Sequence, residues 1–82
     1  MRVHQISIEN HRYDTAAAVH SAAVVMRAED GYRTSFLCEI PDTGDIDQAA
    51  LDAALLDDAI RQARRMPEIR SGREPLDLGP YG

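Results

Sequence analysis

The sequence contains no lysine; all nine basic residues are arginine. Together with abundant alanine and aspartate, this pattern fits the codon usage of a GC-rich bacterial genome, so an arginine carries no functional signal merely by being present. Cysteine is nearly absent as well. A single thiol, Cys38, excludes an internal disulfide and does not make a metal framework. No run of about 18 apolar residues exists, which excludes a membrane-spanning helix. The opening "MRVHQISIEN" lacks the long apolar stretch of a secretory signal, so the expected compartment is the cytoplasm. Gly31 and Gly44 stand alone as turn glycines, and no glycine-rich phosphate loop is present. Internal repeats and low-complexity tracts are also missing.

At 82 residues the chain makes one domain. A domain of this size buries roughly 60% of its unfolded surface, enough for one modest core and little room for a deep cavity. The net charge of −5 argues against a general nucleic-acid binder, whose phosphate affinity needs excess cationic charge. That charge is unevenly spread. Glu39 to Asp58 carries seven acids and no base, whereas Arg61 to Glu74 carries five arginines against Glu68 and Glu74. A helix with acids at its start and bases at its end follows its own dipole.

The stretch "RVHQISIEN" reads as a first strand with Ile6 and Ile8 on one face, and "ENHRYD" as a polar connection. The segment "TAAAVHSAAVVMRA" permits two readings. Its alanines favour a helix that Asp14 would cap. Its β-branched Val24 and Val25, followed by Glu29-Asp30-Gly31, favour a strand entering a three-residue hairpin loop with glycine at the left-handed position. The hairpin explains both sides of the turn and is preferred.

It also sets a register. If Ala28 pairs with Tyr32, then Met26 faces Thr34, Val24 faces Phe36, Ala22 faces Cys38 and His20 faces Ile40, all on one side of the sheet. That side holds the only phenylalanine and is assigned to the core. The other side pairs Arg27 with Arg33, Val25 with Ser35, Ala23 with Leu37 and Ser21 with Glu39. After "PDTGD", Asp45 with Gln48 resembles a capping box, and Pro67 ends the helix near Met66. Ala49, Ala53, Leu55, Leu56, Ala59, Ile60, Ala63 and Met66 fall on one broad arc, with Leu51 among the polar residues and Asp52 intruding on the apolar side. The expected fold is therefore α+β: a three-stranded antiparallel β-meander over residues 1–66 with one C-terminal helix packed on one face. A Pro/Gly-rich extended tail over 67–82 follows, and the core does not require it.

The sequence points to a small soluble bacterial protein of the cytoplasm, a non-enzymatic interaction module acting as a homodimer or binding another protein. One helix cannot cover both faces of the sheet, which leaves Val19, Ala23, Val25 and Leu37 as the candidate interface. A second reading is a small thiol-dependent enzyme or redox sensor built on Cys38 and His20, which the register places on the same face. A third is an anion or nucleic-acid contact through Arg61, Arg64 and Arg65. The three histidines, His4, His11 and His20, show no recognised metal-ligand spacing. No metal, cofactor or membrane is expected, and nucleic acid is not an expected partner.

Overall fold

The computed structural model describes residues 1–81, so the last position of the tail expected over 67–82 lies outside the described residues. Strands β1 (Val3–Asp14), β2 (Val19–Ala28) and β3 (Arg33–Pro41) precede the helix α1 (Gln48–Arg64). A short helix α2 (Pro67–Arg70) and one 3-10 turn (Gly79–Tyr81) follow. The strands form a single antiparallel sheet in the order β1-β2-β3, with α1 packed on one face. This is the α+β meander-plus-helix expected from the sequence.

The β2–β3 hairpin has the expected register, with Val24 opposite Phe36, Ala22 opposite Cys38 and Arg27 opposite Arg33. Its loop closes as the residue types dictate. The Ala28 amide donates to the Tyr32 carbonyl at 2.8 Å, and Gly31 takes φ +90°, a conformation that favours a residue without Cβ. The segment from Thr15 divides between the two tendencies seen in its sequence. The alanine-rich part is a four-residue loop, and the β-branched part is β2. Asp14, read as a possible helix cap, instead accepts the Ala16 and Ala17 amides (2.9 and 3.1 Å) and closes a tight turn.

β1 corrects the sequence reading most. "ENHRYD" is not a connection but the second half of this strand. Pairing shifts between Glu9↔Ala23 and Arg12↔Ser21, leaving Asn10 and His11 together opposite Ala22. This is a bulge with Asn10 at φ +56°, a region asparagine enters more readily than most residues. A second shift lies between Val3 and Gln5. Each irregularity reverses the alternation of side chains. Val3 and Tyr13 therefore join Ile6 and Ile8 on the helix side, opposite Ala28 and His20.

The helix starts two residues later than the capping-box reading implies. Its N-cap is Asp47, not Asp45; the Asp47 carboxylate accepts the Ala50 amide at 2.7 Å. Gln48 turns forward to Asp52 (2.8 Å), which accounts for the acid on the apolar side. The buried stripe is Leu51, Leu55, Ala59 and Ala63, spaced four apart. Leu51 thus belongs to the core, whereas Ala49 and Ala53 face solvent and Leu56 and Ile60 are half-buried. The apolar arc drawn from the sequence was pulled round by alanines, which cost little in water and report burial weakly.

The tail is strapped to the body. A parallel bridge joins Arg2 to Asp77; the Val3 amide donates to the Asp77 carbonyl (2.8 Å), and the Asp77 amide to the Met1 carbonyl (2.9 Å). Leu78 is part of the core, only 6% exposed. Farther along, the Tyr81 hydroxyl accepts the Ile6 amide at 3.4 Å. The tail thereby covers the outer edge of β1 over its first residues, a common means of blunting an exposed strand edge.

Candidate functional site

Two places on the sheet stand out: its uncovered face, and the end of the β1–β2 hairpin. On the uncovered face the four expected interface residues differ in what they offer. Leu37 is 67% exposed, and Val19 and Ala23 are half-buried. Val25 is only 2% exposed although it points away from the helix. Beside it on the same face, Arg27 stands opposite Gln5 and reaches diagonally with its guanidinium to the Ser7 hydroxyl (3.2 Å) and toward the Glu9 carboxylate (3.9 Å). Val25 is covered by the chain itself, and the accessible patch is Val19, Ala23 and Leu37. Beside it the bulge opens a shallow groove of about 420 Å³ edged by Asn10, Arg12, Ser21 and Leu37.

At the hairpin end, the reversed alternation after the bulge gathers His11, Tyr13, His20 and Asp42. His11 Nε2 lies 3.1 Å from His20 Nδ1, and His20 Nε2 lies 3.7 Å from Asp42 Oδ1. The Tyr13 ring leans on the His20 ring with centroids 4.8 Å apart, while its hydroxyl donates to Asp42 Oδ2 at 3.0 Å. Hydrogen bonds from the Gly44 amide and from Tyr13 hold the Asp42 carboxyl below its ordinary range. The same bond to Asp42 pushes the Tyr13 phenol up. No spacing in the sequence announces this cluster. Strict alternation from Ile6 and Ile8 puts His11 on the opposite face from His20, and only the bulge reverses that.

Cys38 and His20 share a face, but their bonding partners differ. His20 is engaged by His11 and Asp42; Cys38 is fully buried beside Gln62, and its thiol points to the Phe36 carbonyl at 3.7 Å. Burial first, and the nearby Asp58 carboxylate second, push the thiol up to about 12. A nucleophilic cysteine needs the reverse, exposure and a lowered pKa. The native protein should therefore react slowly with a disulfide reagent at neutral pH and rapidly once unfolded in guanidinium. A fast native reaction would show a reachable thiolate. The sign for stability follows. Because the folded thiol keeps its proton to higher pH than the unfolded one, this group favours unfolding as pH rises above about 9.

Of the three arginines after the helix midpoint, Arg61 is paired with Asp57 (3.5 Å) and Asp58 (3.3 Å). Arg64 and Arg65 are exposed on the outward side and make no salt bridge among the described residues. No described helix is long and apolar enough to cross a membrane. Compared with models of protein families, with curated proteins and with solved structures, the chain matches none.

Proposed function

We propose that the chain is a non-enzymatic interaction module that works as a homodimer in a bacterial cytoplasm, joined through the uncovered face of its sheet. The observation that carries this reading is Leu37, a large aliphatic side chain 67% exposed at the middle of the edge strand β3, on a sheet face that no element of the chain covers. The face also suits a second copy of itself. Arg33 and Glu39 flank Leu37 on β3, and neither makes a salt bridge among the described residues. A two-fold axis lying in the face and crossing β3 near Phe36 lays that strand antiparallel over its counterpart. Arg33 of each copy then stands over Glu39 of the other, with Leu37 buried between them. An isologous contact needs this kind of self-complementary patch, and packed sheets at about 10 Å leave room for the side chains.

Light scattering of the wild type should give the mass of two chains. Leu37→Glu sets a charge in the centre of the contact and should give the mass of one chain with unchanged circular dichroism. A monomeric wild type sinks the proposal.

A further inference from the structure

We infer that His11 and His20 form a binding site for a divalent transition metal, with zinc(II) as the ion to test. The inference is independent of the dimer reading. Two imidazole nitrogens on one tetrahedral zinc, each about 2.0–2.1 Å from the metal, stand about 3.3 Å from one another. His11 Nε2 and His20 Nδ1 are 3.1 Å apart. The two nitrogens already stand within a few tenths of an ångström of the separation the metal needs.

Packing of either ring in a core does not explain the pair, since His11 is exposed and His20 lies at the open end of the sheet. The neighbours of His20 do what the surroundings of a ligating histidine do. Asp42 faces Nε2 at 3.7 Å and favours the proton there, which leaves Nδ1 with its lone pair toward His11. Asp42 is itself fixed by the Gly44 amide (3.0 Å) and the Tyr13 hydroxyl (3.0 Å). Tyr13 backs the ring. The tautomer favoured by Asp42 is the one that an Nδ1 ligand requires. His11 donates its Nε2 proton to His20 when no metal is bound; on binding, it carries its proton on Nδ1 instead, and Nε2 joins the metal. Among the described residues no group of three or more histidine, cysteine or carboxylate side chains converges to hold a metal. Water completes the coordination, so the site is open and its affinity moderate. Imidazole ligands select zinc, nickel or copper over calcium or magnesium.

The test is calorimetric titration of the full, tag-free chain with zinc chloride, together with its thermal midpoint with and without zinc. The wild type should bind zinc saturably and melt higher in its presence. Both effects should vanish in His11→Ala, in His11→Gln and in His20→Ala, with circular dichroism confirming that each variant is folded. Asp42→Asn keeps both ligands and should weaken binding by about tenfold or more. His4→Ala, at the far end of β1, should bind as the wild type does. Absence of saturable binding to the wild type, or undiminished binding to the folded His11 variants, overturns the inference.

Discussion

Phe36→Ala should lower the stability of the domain by about 3–5 kcal/mol, the cost of emptying a buried aromatic site. Phe36 sits opposite Val24 at the centre of the helix-covered face, among Met26, Cys38 and the Leu51–Leu55 stripe of α1. Small domains hold only about 5–15 kcal/mol in total. The thermal midpoint should fall by at least about 12 °C, since each kcal/mol moves it by roughly 4–8 °C in a domain of this size. The neighbouring position supplies the control. Leu37→Ala truncates an exposed side chain one residue along the same strand, and the monomer's stability should change by no more than about 0.5 kcal/mol. A double-mutant cycle of Phe36→Ala with Val24→Ala should show coupling of about 0.5–3 kcal/mol, as expected of residues in contact. Equal melting of the Phe36 and Leu37 variants would contradict the assignment of faces.

Removal of the chain from Leu76 onward should cost about 4 kcal/mol or more. Leu78 is buried against the sheet and helix, and losing a buried leucine costs about 2–5 kcal/mol. The backbone bonds of Asp77 to Val3 and Met1 add about 1 kcal/mol each. This reverses the expectation drawn from the sequence, in which the core stood without its tail. Truncation also bares the edge of β1, so the shortened chain should associate at high concentration through unpaired strand edges. Denaturant unfolding of the truncated chain measures the first effect and sedimentation the second. Leu78→Ala separates the core contribution from the edge. An unchanged unfolding midpoint on truncation would show the strap to be dispensable.

The parts of this fold legible from sequence are those held by local chemistry. Glu29-Asp30-Gly31 has one comfortable conformation, with glycine at positive φ. Once that loop is closed, alternation with period two assigns every residue of β2 and β3 to a face. α1 is legible for a similar reason: its aliphatic residues recur with the period of a helix and Pro67 bars its continuation. The parts decided by tertiary structure are those in which alternation breaks or distant residues meet. Nothing local distinguishes Asn10-His11 as a bulge from two ordinary strand residues. The shift is seen only in the pairing of β1 with β2, and it turns Tyr13 and His11 toward His20. Asp42 reaches that cluster only because β3 returns alongside β2. Val25 shows the same limit on the other face. Its parity marks it as outward, yet it is buried on a face where Arg27 reaches across the ladder to Ser7 and Glu9, partners that no local pattern names. The tail's place follows from Leu78 joining the core and from Asp77 bonding to Val3 and Met1, residues at opposite ends of the chain whose meeting no local pattern announces.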